Sequence, residues 1–184
     1  MDKHYPAAPW SGFLKGISIV VTLLLLGISW LLASIMPTHT LPLLRTVATV
    51  LPLLILLAAV PFVVRGYELR DGTLQVHRLG WTTRVALGEL RGAAIDPHAG
   101  ADSIRLLGNG GLFSFSGWFR NAKLGRYRAF VTDWQRAVVL HGAACTVVLS
   151  PADPASFVRA LQTAAAPTAT ASRKSLPRWR QSRR

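Results

Sequence analysis

Residues 17–36 read ISIVVTLLLLGISWLLASIM, a run of 20 residues without a charge. An α-helix rises 1.5 Å per residue, so this segment would be about 30 Å long, the thickness of the hydrocarbon core of a bilayer. Pro37 follows directly and ends the helix. We therefore predict a retained transmembrane helix. Two alternatives fit less well, because a signal peptide has a shorter apolar run and a chain this small could hardly cover a buried helical hairpin.

A second apolar segment covers residues 46–64, TVATVLPLLILLAAVPFVV, and is also free of charge. It contains Pro52 and Pro61, which kink a helix but are tolerated in helices within a membrane. The connection between the two segments is short, so the helices should be antiparallel neighbours. Residues 17–64 are thus predicted to form a transmembrane hairpin.

The basic residues that flank the hairpin predict its orientation. Lys3 and Lys15 precede the first segment, Arg45 alone lies in the connection, and Arg65 and Arg70 follow the second segment. Loops rich in Lys and Arg remain in the cytoplasm. We therefore expect both termini, including residues 1–16, to be cytoplasmic and the connection around residue 39 to lie outside.

Residues 65–163 change to a pattern of period two, interrupted by turn signals, which is typical of β-strands. Asp71-Gly72 lies between two alternating runs and predicts a hairpin. Gly108-Asn109-Gly110-Gly111 predicts another tight turn, followed by a strand over 112–115 and a loop over 117–124. About seven short strands at this spacing predict a small barrel or sandwich.

A single helix is predicted to close this domain. Asp153 is a favourable N-cap and Pro154 suits the first helical position. Phe157, Val158 and Leu161 follow at helical spacing and give an apolar stripe. Residues 164–184 are rich in Pro, Thr, Ala, Ser and Arg, and we predict that they are disordered.

Two stretches of the domain resemble the bacterial pleckstrin-homology (PH) domain membrane proteins. The first is Gly66-Tyr67-Glu68-Leu69-x-Asp71-Gly72-x-Leu74-x-Val76-x-Arg78-Leu79-Gly80-Trp81. The more specific second one comprises Gly108-Asn109-Gly110-Gly111-Leu112-Phe113, Gly117-Trp118-Phe119-Arg120-Asn121, Lys123-Leu124-Gly125-Arg126-Tyr127 and Thr132-Asp133.

The resemblance covers about residues 65–163. It implies an α+β chain in which the transmembrane hairpin precedes a PH-like seven-stranded barrel or sandwich, capped at one end by the C-terminal helix. It also implies a multi-pass protein of the bacterial inner membrane. It brings no catalytic residue to this sequence.

Motifs for catalysis, cofactors or metals were not found. Gly108-Asn109-Gly110-Gly111 lacks the spacing and the helix of a nucleotide-binding loop, and the serines of Phe113-Ser114-Phe115-Ser116-Gly117 do not form a nucleophile elbow. Asp96, His98 and Asp102 could form only a weak metal site, and a solvated loop is favoured. Cys145, the single cysteine, is predicted to be a buried structural thiol.

A basic and aromatic cluster is the candidate contact site. Its functional interpretation is a surface that binds anionic lipid headgroups or a protein partner, and its alternative is a solvated cationic face above packed aromatics. The cluster residues are Trp118, Arg120, Lys123, Arg126 and Arg128, with Phe119, Tyr127 and Phe130 interleaved.

The C-terminal tail contributes six of the net +13 charges. A basic tail close to a membrane anchor favours anionic phospholipid over nucleic acid as its partner. The residues concerned are Arg173, Lys174, Arg178, Arg180, Arg183 and Arg184.

The leading hypothesis is a membrane-anchored, non-enzymatic interaction or scaffold module, with a protein partner or a homo-oligomer left open. One alternative is a small accessory subunit of a transporter or a membrane sensor, suggested by the two prolines. No ionisable residue lies within either segment, which argues against transport. A cryptic hydrolase is the other alternative, and it requires a histidine close to a serine or to Cys145.

Overall fold

A computed structural model of the chain describes residues 4–37, 41–70, 73–87 and 89–165. Two long helices precede two β-sheets, and a third helix follows them. The predicted α+β organisation is therefore correct. The basic tail, the Asp71-Gly72 turn and the connection around residue 39 lie outside the described residues.

Helix α1 (Gly12–Ile35) and helix α2 (Pro42–Ala59), which a 3₁₀ turn (Val60–Phe62) extends, are long and apolar enough to cross a membrane. Only 6% and 11% of their most apolar stretches are buried, so neither is the core helix of a soluble domain. The helices contact each other where the Ser29 hydroxyl donates to the carbonyl of Thr49.

Helix α1 begins five residues before the predicted segment. Contacts with the β-domain stabilise its first turns, and the uncharged run that predicted the helix does not include them. The Ser11 side chain caps it by accepting from the amide of Leu14 at 3.2 Å. Leu14 and Ser18 are both buried against the β-domain. The first helix is thus part of the domain before it becomes an exposed apolar rod.

The first sheet has the order β1-β2-β3-β4 and is antiparallel. Strand β1 precedes both long helices in the chain, yet it pairs with β2, which follows them. The N-terminal segment is therefore part of the domain's sheet, which the sequence did not reveal. The strands are β1 (His4–Pro6), β2 (Val64–Arg70), β3 (Thr73–Arg78) and β4 (Thr82–Ala86).

The second sheet has the order β5-β9-β10-β8-β7-β6, and its pairs are antiparallel except for the parallel pair β8–β10. Strands β7 and β8 form a long hairpin next to the edge strand β6. The strands are β5 (Leu90–Ile95), β6 (Ile104–Gly110), β7 (Phe115–Asn121), β8 (Gly125–Val131), β9 (Val138–Gly142) and β10 (Thr146–Leu149).

The main core lies between the two sheets and is closed by helix α3 (Pro154–Ala165). Asp153 accepts from the amide of Ser156 at 3.1 Å, as an N-cap does, and Phe157 and Leu161 reach into the core. The predicted closing helix is therefore confirmed. A second cluster covers the opposite face of the six-stranded sheet, where Leu14 of α1 packs.

Of the predicted seven-stranded barrel or sandwich, the sandwich is confirmed, whereas the closed barrel and the strand count are wrong. The described residues form ten strands in two open sheets, and β4 and β5, which are adjacent in sequence, belong to different sheets. In the described part of the chain, no strand of one sheet pairs with a strand of the other, so free edges remain at β4, β5 and β6; an isolated bridge between Ala7 and Pro151 links the sheets beside β1 and β10. The domain is an open sandwich.

The predicted tight turn at 108–111 is also wrong, because strand β6 continues to Gly110 and the chain turns at 111–114. Gly108 of this segment serves a close approach between strands: it lies opposite Gly117, and a Cβ on Gly108, whose φ is +114°, would collide with the carbonyl oxygen of Ser116. The turn forms later because the side chain of Asn109 accepts from the amides of Gly111 and Leu112. The predicted loop over 117–124 is accordingly mostly strand.

Candidate functional site

The β7–β8 hairpin determines which of the predicted cluster residues share a surface. Trp118 lies opposite Arg128, and Arg120 lies opposite Arg126. Directly paired residues of an antiparallel ladder project to the same side. These four side chains therefore form one surface, which we call the cation–aromatic face.

The indole of Trp118 organises the cation–aromatic face. The guanidinium carbon of Arg126 lies 4.3 Å from the centre of its ring, and that of Arg128 lies 5.7 Å away. Such cation–π contacts contribute about 0.5–1 kcal/mol each at exposed sites. Within the described ranges, no carboxylate forms an ion pair with either guanidinium. Both cations are held in place and remain available to an external anion.

Lys123 does not belong to this face, although the sequence places it in the same cluster. It lies in the connection between β7 and β8, where its ammonium donates to Asp96 at 2.6 Å. This hydrogen bond is the main reason why the pKa of Asp96 lies below its usual value. The charge of Lys123 is therefore already compensated.

Two apolar side chains that the sequence did not single out complete the face. Ile104 lies opposite Arg120, and Leu107 lies opposite Trp118. Each is 70% exposed, and β6 is the edge strand of its sheet. The run Ile104-Arg105-Leu106-Leu107 resembles any buried strand, so only the sheet order reveals its exposure. The surface is therefore amphipathic as well as basic.

Arg78 is a third cation of the region and was missed by the sequence analysis. It continues the inward-facing row of Leu74 and Val76 on β3, so it points between the sheets. Its guanidinium carbon lies 5.1 Å from the ring centre of Phe130, and that of Arg128 lies 5.2 Å from the same ring. Strand parity was the signal that could have identified it.

His77 and the serines of residues 113–117, which a hydrolase could use, form hydrogen bonds with neighbouring residues of the fold. The ring of His77 lies between Glu68, at 3.1 Å, and the hydroxyl of Thr82, at 3.2 Å, across three neighbouring strands. Ser114 donates to the carbonyl of Phe62 and also contacts the Ser116 hydroxyl. Neither serine forms a hydrogen bond with a histidine within the described part of the chain.

The loop of Asp96, His98 and Asp102, for which a weak metal site was the less favoured interpretation, has hydrogen-bond partners within the protein. Asp96 accepts from Lys123 and from the amide of His98. Among the residues that the structure describes, no group of three His, Cys, Asp or Glu side chains could hold a metal ion. Cys145 is half-buried, not fully buried as predicted, and burial raises the pKa of its thiol.

The fold is an open two-sheet sandwich with a closing helix. The family model described as bacterial PH domain matches residues 65–165. This match covers more than half of the 184 residues, so the chain belongs to the bacterial PH domain family. No curated protein and no solved structure matched the chain.

Proposed function

We propose that this protein is a membrane-anchored, non-catalytic interaction module whose cation–aromatic face contacts anionic lipid headgroups. The two apolar helices serve as the anchor, and the PH domain supplies the contact surface. The family match supports an interaction module, since PH domains are generally not enzymes.

One observation carries the proposal: Arg126 and Arg128 flank Trp118 without a described carboxylate partner, beside the exposed side chains of Ile104 and Leu107. A merely solvated cationic face would not need exposed aliphatic residues next to it. At the surface of an anionic bilayer, the guanidinium groups pair with phosphate while the indole and the aliphatic chains enter the interface.

The pairing of β1 with β2 supports a hairpin anchor. Tyr5 lies opposite Tyr67 in the sheet, and both helices lie between them in sequence. If both helices cross the membrane, the N-terminus and the PH domain must lie on the same side. The excess of Lys and Arg on that side supports a cytoplasmic location at a bacterial inner membrane.

The transporter alternative receives no support from the described helices. Lys15 and Arg45, the charged residues within α1 and α2, lie in or near their first turns, and Arg45 donates to the carbonyl of Ala33 at 3.1 Å. Ionisable residues that mark transport paths lie deeper in the membrane. The hydrolase alternative likewise has no observation in its favour.

The experiment places a fluorophore at the tip of the hairpin. The full-length protein carries Ala122→Cys on a Cys145→Ser background, because Ala122 is exposed and next to the face. It is reconstituted in nanodiscs with a quencher attached to the lipid headgroup, in phosphatidylcholine alone or mixed with phosphatidylglycerol. We expect stronger quenching in the anionic nanodiscs, and a weaker difference at high salt.

Variants then identify the residues responsible. The pair Arg126→Gln/Arg128→Gln should abolish the dependence on anionic lipid, whereas Lys123→Gln should preserve most of it. The charge-matched control is Arg84→Gln/Arg91→Gln, two exposed arginines of β4 and β5. Equal quenching of the wild-type protein in both kinds of nanodisc would contradict the proposal. If the control pair loses as much of the lipid-dependent quenching as Arg126→Gln/Arg128→Gln, the effect depends on net charge and not on this face, which would also contradict it.

A further inference from the structure

Arg78 is a charged side chain in a position that an apolar residue normally occupies. Leu74 and Val76, which precede it on the inward-facing side of β3, are fully buried. Arg78 itself is half-buried, and its Nε is enclosed without a hydrogen-bond partner in the described part of the chain. A buried donor that lacks an acceptor is costly, so this position calls for an acceptor from outside.

The charged side chain that shares a ring contact with Arg78 is another cation, which increases the cost of its burial. Arg128 projects from the facing sheet, and both guanidinium groups lie against the ring of Phe130, at 5.1 and 5.2 Å. Burial, and then the charge of Arg128, lowers the pKa of Arg78 to about 10. Two positive charges beside the same ring form a site that favours an anion.

The site lies at the end of the membrane anchor. The amide of Leu79 donates to the carbonyl of Val63 at 3.2 Å, which ties the end of β3 to the end of the second helix. The rings of Phe62 and Trp81 lie 5.3 and 5.9 Å from the guanidinium carbon of Arg78. Aromatic rings at the end of a spanning helix mark the level of the lipid headgroups.

We propose that Arg78 and Arg128 form an anion site that binds a phosphate group, supplied by the headgroup of an anionic phospholipid. Two guanidinium groups can direct several N–H donors at phosphate oxygens, and the Nε of Arg78 would gain its missing acceptor. The lipid source rests on the proposed membrane anchorage. The phosphate chemistry rests only on the two arginines.

The test uses the full-length protein in a neutral detergent and measures its unfolding temperature. The probes are short-chain phosphatidylglycerol, short-chain phosphatidylcholine and glycerol phosphate, at one ionic strength. A ligand that binds the folded state raises the unfolding temperature with concentration. If phosphatidylglycerol raises the unfolding temperature and glycerol phosphate does not, the site binds the lipid. If glycerol phosphate raises it too, the phosphate group is sufficient for binding. If neither phosphatidylglycerol nor glycerol phosphate raises it, the proposal is overturned.

Arg78→Met and Arg128→Gln should each weaken the apparent affinity about tenfold or more, because each removes a charge-assisted hydrogen bond. Arg84→Gln, on the outward-facing side of β4, is the control and should keep the shift. Without anion, Arg78→Met should unfold at the wild-type temperature or above, since an unpaired cation is gone. If the Arg78→Met variant does not fold, the anion-induced shift of the Arg128→Gln variant tests the site. A variant that retains the full shift contradicts the site.

The two proposals fail in different ways. Loss of lipid-dependent quenching at the hairpin tip, with the phosphate shift intact, would contradict the cation–aromatic face and leave the Arg78 site standing. Intact lipid-dependent quenching without a phosphate-induced shift would contradict the Arg78 site and leave the cation–aromatic face standing.

Discussion

The hydroxyl of Ser18 accepts from the amide of Phe113 at 3.1 Å, across 95 positions of the sequence. The same hydroxyl donates to the carbonyl of Gly111 at 3.3 Å. The 111–114 turn of the PH domain is therefore fastened to the second turn of helix α1. Because helix α1 and the domain share this contact, the helix is fixed against the domain and is not joined to it only by a flexible connection.

Replacement of Ser18 by Ala should loosen this junction. The change leaves an amide and a carbonyl without their partner, at a cost of about 1–3 kcal/mol. We expect faster hydrogen exchange over residues 111–114 in the detergent-solubilised protein. Ser34→Ala is the matched control, because the Ser34 hydroxyl donates only within its own helix, to Trp30. Unchanged exchange at the turn would show that the junction does not depend on Ser18.

Tyr67 should make the stability of the domain sensitive to alkaline pH. Its hydroxyl donates to the carbonyl of Phe130 at 2.7 Å, and burial raises its pKa from 10.0 to about 12. Below pH 10 the folded and unfolded chains both keep the proton. Between 10 and 12 the unfolded chain loses it first, so stability falls by about 1.4 kcal/mol per pH unit from this group.

The variant Tyr67→Phe isolates this effect. At neutral pH it should be less stable than wild type by about 1–3 kcal/mol, because the Phe130 carbonyl loses its donor. The difference should narrow as the pH rises from 10 towards 12, since the phenylalanine cannot ionise. Denaturant unfolding at several pH values measures it. A difference that stays constant over this range would contradict the raised pKa.

Single cysteines should reveal a hairpin anchor with both ends on one side. On the Cys145→Ser background, Pro37→Cys follows helix α1, Pro9→Cys precedes it, and Ala122→Cys lies in the PH domain; all three positions are exposed. An impermeant maleimide should label Pro37→Cys in intact cells and the other two only after permeabilisation. Labelling of Pro9→Cys and Ala122→Cys from opposite sides would contradict the hairpin.

The helices were predictable because their signals are local. A run of uncharged residues of bilayer length identifies α1 and α2, and Asp153-Pro154 marks the start of α3. The start of α1 was not predictable, because Leu14 and Ser18 are stabilised by a turn about 95 residues later.

The sheets were predictable in kind but not in arrangement. Strand β1 has three residues, one of them a proline, and its partner lies beyond both helices. Gly117 was interpreted as a loop residue, although its role is a close approach to β6. Pairings of this kind depend on contacts far apart in sequence, which periodicity does not encode.

The cation–aromatic face was predictable in composition but only partly in membership. Trp118, Arg126 and Arg128 come together because period two places them on one side of the β7–β8 hairpin. The pairing of Lys123 was not predictable, because its partner Asp96 belongs to another loop. Arg78 was missed because its neighbour Arg128 lies on the facing sheet.

The most direct test of lipid contact compares hydrogen exchange of the wild-type protein in two kinds of nanodisc, without labels or variants. We predict that residues 118–128 exchange more slowly in mixed phosphatidylglycerol–phosphatidylcholine than in phosphatidylcholine alone, and that the difference shrinks at high salt. Strand β5, at the edge of the six-stranded sheet opposite β6, should exchange equally in both. Equal exchange of residues 118–128 in the two membranes would contradict the proposed contact with anionic lipid.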